Sequence, residues 1–505
     1  MLLLATQARA AYQALDEIPV ESPIYRLVQE LATSHGSRSA FLHTRPWDRA
    51  DIGRFLDELV LSAPAAASDP AYVRLRREVE PADVRGGWQP AVRGKDENGS
   101  LELSPYARVN YAEDHGRGGV VRDHRAGGQG SFALGENVLF AADVYAGTHS
   151  PGPHGNPVTS RHFGLIEGVE FNSWFDRGSA TVRGRLGRLA IGHTWLHWGP
   201  GAWGSMALAD GAPAFDVIEA RVPILGRAQL EWFVASLDPT TESYLAGHRL
   251  EVRPTAALDI AFGELARFDG AASAPIYLVP VISYSHIERR VLGSSGLRSD
   301  SLVMLGKNNV MWTLDASWRA LRNLRMYGEL TVDDISFSSE LKPREYAWQL
   351  GFAARRLVGD RAWTLRGEYA RVYAYTYSTY HHHNFEFAGT PTGFPLGPDV
   401  ERLNARLECR PGPDIAFGLE GVLTRKGEGW LGEFYVPGSG RVYNNLALTG
   451  RVDADARGAP TADWSPAGGL AAGVTAGWSR VTALDHVAGD DRRGGWLETR
   501  FTLRG

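Results

Sequence analysis

Two tryptophans and two histidines crowd one stretch of this 505-residue chain: His193, His197, Trp198 and Trp203. Aromatic faces stack on the C–H faces of sugar rings, flanking polar groups take the hydroxyls, and apolar burial supplies the drive. The competing reading is a loop folded inward, with the same tryptophans as packing. A second cluster places Tyr373, Tyr375, Tyr377 and Tyr380 ahead of His381, His382, His383, Asn384 and Phe385. Neutral imidazoles are good metal ligands. Consecutive residues point in different directions on a strand, however, and no spaced Cys or carboxylate set accompanies them. No metal and no cofactor is expected. A polar, aromatic external loop suits glycan or lipopolysaccharide head groups, with Trp198, Trp203, His197, Tyr375, Tyr377, Tyr380 and His382 as the contacts. Glu329 with Asp333 and Asp334 has the residue types of a glycosidase pair. Glu329 and Asp333 fall on one face of one strand, where pairing with inward arginines is the simpler expectation. The chain has no G-x-S-x-G elbow, H-E-x-x-H motif or phosphate-binding glycine loop, so no enzyme is expected.

The elements that hold these residues are strands. Leu189, Ile191 and His193 alternate with Ala190, Gly192 and Thr194, and alternation resumes with Val217, Glu219 and Arg221 against Ile218, Ala220 and Val222. Between them, Trp198 to Ala214 reads as a long decorated loop, rich in Gly, Pro, Ala and Asp. From Leu101 onward the same period of two recurs. Leu403, Ala405, Leu407 and Cys409 oppose Arg402, Asn404, Arg406 and Glu408, and Trp348, Leu350 and Phe352 oppose Gln349, Gly351 and Ala353. Short links are expected at 186–188, 225–226, 254–257, 320–323, 358–360 and 410–413. Long ones are expected at 111–131, 196–214, 269–301, 375–399 and 427–439. Their alternation gives a transmembrane antiparallel β-barrel of about eighteen strands, with short turns at one rim and long loops at the other. The Gly- and Pro-rich 148–161 connection breaks the rhythm and is expected to form rim structure near the N-terminal helices.

Sandwiches and propellers also alternate. Trp318, Trp348 and Trp363 lie near predicted rims on the apolar side, as in an aromatic girdle. The opposite side carries both signs of charge: Arg183, Arg185, Glu219, Arg221, Glu231, Arg249, Glu251, Asp315, Glu329, Arg366, Glu368, Arg402, Glu408, Glu498 and Arg500. In a barrel these face a wet lumen and pair between neighbouring strands.

Bulk properties agree. A net charge of −5 excludes a general nucleic-acid binder, which needs a basic face. The single cysteine, Cys409, excludes an intrachain disulfide and a multi-cysteine zinc site. There is no apolar run of about 18 residues, so no transmembrane helix. A mean hydropathy of −0.23 is compatible with a barrel whose strands are polar at every second position. Before the strands, residues 19–80 read as a three-helix module. Ser22 and Pro23 open the first helix, with Ile24, Leu27, Val28 and Leu31 on its apolar face and Gly36 as its stop. A second helix runs from Arg49 to Val60, and a third from Asp69-Pro70 to Val79. The mixed charges on their outer faces are expected to be solvated. Residues 1–10, with Ala8-Arg9-Ala10, have the small-x-small pattern of a signal-peptide remnant.

The run Trp198-Gly199-Pro200-Gly201, followed by Ala209-Asp210-Gly211-Ala212-Pro213, resembles the capsule assembly Wzi family. So do Gly247 to Pro254 with Ile260-Ala261-Phe262-Gly263-Glu264, and the segment Met326 to Asp334. With the helices, the resemblance covers nearly the whole chain. It implies a Gram-negative outer-membrane surface lectin that helps assemble or attach capsular or other extracellular polysaccharide. The helices would lie in the periplasm, the long loops at the cell surface, and the barrel (98–505) in outer-membrane lipid. The polysaccharide export machinery is a further expected partner. It supplies no residue-level binding motif. A porin-like diffusion channel for small polar solutes is the alternative, and a soluble secreted β-enzyme the third.

Overall fold

The computed structural model describes residues 17–504, apart from 21, 39, 80–91, 97, 151–171, 210, 239, 272–273, 288–307, 335–342, 380–382, 435–446 and 467–468. Tyr380, His382 and residues 1–10 therefore lie outside the described residues. The alternating region forms eighteen antiparallel strands closed into a barrel. They are β1 Gly99–Asp114, β2 Gly119–Leu134, β3 Val138–Ser150, β4 Asn172–Gly184, β5 Gly187–Thr194 and β6 Phe215–Ile224. Next come β7 Ala228–Asp238, β8 Ser243–Thr255, β9 Leu258–Asp269, β10 Asn309–Leu321, β11 Leu324–Asp334 and β12 Glu345–Val358. The last are β13 Arg361–Val372, β14 Val400–Arg410, β15 Ile415–Lys426, β16 Asp453–Trp464, β17 Leu470–Thr482 and β18 Arg492–Arg504. Closure is by β18 on β1, from Trp496 opposite Asp114 to Arg504 opposite Tyr106. The overhanging edge of β1 is covered by the short strand Val92–Lys95, which leaves no open ladder there.

The wall sorts side chains by parity. Leu189, Ile191, Leu330, Leu350, Leu403, Leu407, Leu419 and Phe417 all point out and are exposed. A continuous apolar band of this extent has no place in water; it is a lipid-facing surface. Tryptophans bound it on both sides. Trp318, Trp363 and Trp464 lie near the short-turn ends of their strands, and Trp312, Trp348 and Trp478 near the long-loop ends. Their rings bring an apolar body and a polar N–H to the water boundary.

One connection differs from expectation. Residues 111–131 are not a long loop: β1 and β2 are sixteen residues each and meet in a turn at 115–118. Glycines at 127, 128 and 130 had weakened the strand pattern there. That moves the count by one hairpin. Most of the 148–161 connection, and with it the expectation of rim structure near the helices, lies outside the described residues. Arg185 sits in the β4–β5 turn rather than on a strand.

The helices are α1 Ile24–His35, α2 Arg49–Ser62 and α3 Pro70–Val79. Gly36 ends α1 at φ 79, a conformation glycine adopts without steric cost. Asp48 and Asp51 form a capping box that starts α2. Val28, Leu31, Phe55, Leu56, Leu59 and Leu75 pack together with almost no exposure. The bundle thus holds its own small core and meets the barrel at the short-turn rim through charge. Arg355 of β12 donates to both carboxylate oxygens of Asp69 at 2.7 and 2.6 Å, and Arg366 of β13 donates to Glu30 at 2.8 Å. Arg188 pairs with Glu17, and Arg183 with Asp48. The expectation that the bundle's charges are solvated is corrected for these acids: each is buried against a barrel arginine. Their role could not be read from the helices alone, because the partners are over a hundred residues away in sequence.

Candidate functional site

The loop after β5 does not rise from the rim. It turns into the barrel. Trp195 donates its indole N–H to the Ala212 carbonyl at 3.0 Å, which draws the two ends of the loop together. His197 and Trp198 then pair as a two-residue antiparallel ladder with Thr44 and Arg45, between α1 and α2, inside the lumen. Gly199 N–H donates to the His43 carbonyl at 2.7 Å. The segment from the helical end and the loop from the opposite end thus meet within the wall. His43 is anchored there by Asp315 (2.5 Å) and Ser317 (2.8 Å), and Thr44 by Glu251 (2.8 Å).

Trp198 is wholly buried. Its N–H donates to Glu231 at 2.9 Å, Phe233 meets it edge-on at 5.3 Å, and the Arg249 guanidinium lies over the ring at 5.7 Å. Its faces are spent inside the protein. His197 is buried likewise. The glycines beside Trp198 have a steric reason. A Cβ on Gly199, at φ 136, would lie 2.6 Å from Glu329 Oε2, and one on Gly201 would lie 1.9 Å from the Gly204 carbonyl oxygen.

Wall carboxylates clamp the loop. Glu329 accepts from the Met206 N–H (2.9 Å), the Ala207 N–H (3.1 Å), Ser205 Oγ (2.9 Å) and Gln349 Nε2 (2.7 Å). Glu368 accepts from the Ala202 N–H at 2.7 Å. The expected pairing with inward arginines is corrected for Glu329, which holds loop amides; Asp333 accepts from the Tyr377 N–H at 2.6 Å. Burial raises the cost of losing these hydrogen bonds, because the loop donors would be left without a partner.

The 373–399 loop is the second half of the plug. Tyr375 and Tyr377 sit at φ 71 and 72 and are buried. Tyr377 donates its hydroxyl to the Met206 carbonyl at 2.5 Å; burial pushes its phenol well up, so the proton stays on for that bond. Ala209 N–H donates to Thr392 at 2.7 Å. Around these contacts Leu196, Met206, Leu208, Phe233, Leu245, Met311, Phe385 and Phe394 form an apolar core inside the barrel. The expectation of a wet lumen is corrected over this sector, where Glu219, Arg249, Asp315, Gln349 and Glu368 are closed off from solvent. Across the barrel the inward charges keep access to water. Arg500 is 46% exposed and pairs with Asp463, 33% exposed, at 3.1 Å.

Among the seven residues expected to touch glycan, Trp198, His197, Tyr375 and Tyr377 are therefore brought together, but as plug interior. Trp203 is partly exposed at a turn of the same loop. His193 lies on the outer parity at the rim, facing Asp216 at 2.8 Å, and His383 Nε2 is engaged by Asp269 at 2.7 Å. Sequence reasoning passed over Trp430. It is 62% exposed on the loop after β15, which Asp399 ties down through the Gly429 and Thr449 amides. A lone tryptophan between glycines (Gly429 and Gly432) beyond a strand end was the available signal.

One solved structure agrees with this architecture. The structure of the Escherichia coli outer membrane protein Wzi, described as involved in group 1 capsule assembly and as a carbohydrate binding β-barrel, superposes with a TM-score of 0.64 at 13% identity, covering 97% of this chain and 99% of that chain. At that identity the likeness is one of fold. OprD of Pseudomonas aeruginosa follows at a TM-score of 0.43 and 14% identity, covering 84% of this chain and 99% of that one. No curated protein matches the sequence. The model of the family described as capsule assembly protein Wzi matches residues 170–493, the segment from β4 to the start of β18 that contains both plug loops. The chain belongs to that family.

Proposed function

We propose that this protein is an outer-membrane β-barrel that takes part in assembling or attaching capsular or other extracellular polysaccharide, and that it binds glycan at its long-loop rim. The observation that carries this reading is the loop plug in the lumen. Loops 195–214 and 373–399 fill one sector of the barrel with an apolar core, while Trp203 of the inserted loop is partly exposed and Trp430 is exposed on the loop after β15. A lumen built for diffusion has no use for such a core; a rigid platform for a surface ligand does. In this reading Trp198, His197, Tyr375 and Tyr377 set the shape of the platform. Trp203 and Trp430 supply stacking faces, and Tyr380 and His382 belong to the same contact surface. The helices lie on the periplasmic side, where polysaccharide export machinery would meet them, and the long loops lie at the cell surface.

The second reading, a channel for small polar solutes, is favoured by one observation, the water-accessible charges of Arg500 and Asp463.

The test is retention of detergent-purified protein on immobilised capsular polysaccharide. Trp203→Ala and Trp430→Ala should each weaken retention about fivefold, the size of one lost aromatic contact of ~1 kcal/mol. Absence of retention by the unaltered protein would remove the glycan reading. Undiminished retention by both variants would remove these two residues from it.

A further inference from the structure

The connection between β9 and β10 leaves the rim in an unexpected direction. Its segment Ala274–Ile287 folds down over the outer wall of β7, β8 and β9. There Tyr277, Tyr284 and Ile287 cover Val234, Ala246, Ala266 and Phe268. Beneath its lower edge, three outward-facing residues of adjacent strands stand in one row: His248 is paired opposite Glu264, and Glu264 opposite Trp312. These are polar or amphipathic groups on the parity that otherwise faces hydrocarbon. Glu264 is almost fully buried, held by His248 Nε2 (3.1 Å), Ser283 Oγ (2.8 Å), the Tyr284 N–H (2.7 Å) and Trp312 Nε1 (2.9 Å). The next row down is purely apolar: Leu250, Phe262 and Leu314, all exposed.

Between this row and the loop lies an open groove of about 410 Å³, lined by His248, Phe262, Glu264, Val281, Ser283 and Trp312, with Pro280 at its edge. Its chemistry is split. Phe262, Pro280 and the 83% exposed Val281 offer apolar surface continuous with the lipid-facing band. The Ser283 hydroxyl, which donates to Glu264 and can still accept, offers a polar contact, and the 36% exposed Trp312 offers an aromatic ring. Among the described residues no lysine or arginine lines it, so none of them would pair with a phosphate. We propose that this groove seats a membrane lipid with an uncharged saccharide head group, its acyl chain along Phe262 and Val281 and its sugar ring against Trp312 and Ser283. The proposal rests on the outer-membrane placement above and adds a lipid site on the wall, separate from the glycan surface of the rim.

The test reconstitutes full-length protein into nanodiscs of phosphatidylethanolamine and monoglucosyl diacylglycerol in equal amounts, and counts retained lipids by native mass spectrometry. The unaltered protein should retain the glucolipid in preference. Trp312→Ala should reduce that preference about fivefold, and Val281→Asp, which removes the acyl-chain contact, should lower retention of both lipids. Val281 projects from an exposed loop, so its variant keeps the barrel intact, which heat-modifiable gel migration checks. Equal retention of both lipids by the unaltered protein, a preference that survives Trp312→Ala, or unchanged retention in Val281→Asp would overturn the proposal. Failure to enter nanodiscs would instead overturn the membrane placement on which it stands.

Discussion

Glu329 shows how one side chain can be placed by its strand and still be misread. Its parity on β11 points it inward, as alternation requires. What it meets there depends on where the 195–214 loop goes, and the loop brings it two amide hydrogens and a hydroxyl. Glu329→Ala would leave those donors buried and unmatched, a loss of about 3 kcal/mol or more. The expected outcome is faster hydrogen exchange at the Met206 and Ala207 amides with the barrel still folded; unchanged protection would show that the apolar core alone holds the loop. Trp198 follows the same logic. Its residue type fits sugar stacking and core packing equally, and only the positions of Phe233, Glu231 and Arg249 decide between them.

At the level of elements, strands and helices were legible because each buries one face against one medium, which leaves a period of two or of 3.6 in the sequence. The signal failed where the medium does not select side chains. Glycines in β2 blurred one hairpin. Outward polar residues His248 and Glu264 broke the parity of β8 and β9 because a loop, not lipid, covers them. The docking of the helical bundle has no periodic signature at all, since it runs through Arg355, Arg366 and their carboxylate partners. Removing one partner of a buried pair strands the other charge. Asp69→Ala should therefore loosen the bundle by about 3–5 kcal/mol, seen as faster proteolytic release of the helices from the intact detergent-solubilised chain. Replacing both Asp69 and Arg355 by leucine should restore much of the resistance. If Asp69→Ala is cleaved no faster than the unaltered protein, the clamp is not what holds the bundle.

For the whole molecule, the decisive property is that the barrel is stoppered from both ends and the stoppers touch, at the ladder of Thr44–Arg45 with His197–Trp198. Material placed in the lumen by two distant parts of the chain blocks the path that a porin keeps open. In planar bilayers the unaltered protein should pass little current. A variant with residues 197–213 replaced by a short Gly-Ser linker should conduct severalfold more, because the apolar core loses Trp198, Met206 and Leu208 together. Steady conductance by the unaltered protein would instead support the channel reading, through the sector that contains Arg500 and Asp463.

The sequence by itself determined the barrel, its approximate strand number, the sorting of leucines outward and charges inward, and the existence of the helical module. Each of these is imposed locally, by the contact of every second or every fourth residue with its medium. Only the tertiary structure decided that the long loops fold inward, that Glu329 and Glu368 bind loop amides, and that one loop lies on the outer wall. Those outcomes turn on contacts between segments far apart in the chain, and a loop without periodicity carries no local record of what it will touch.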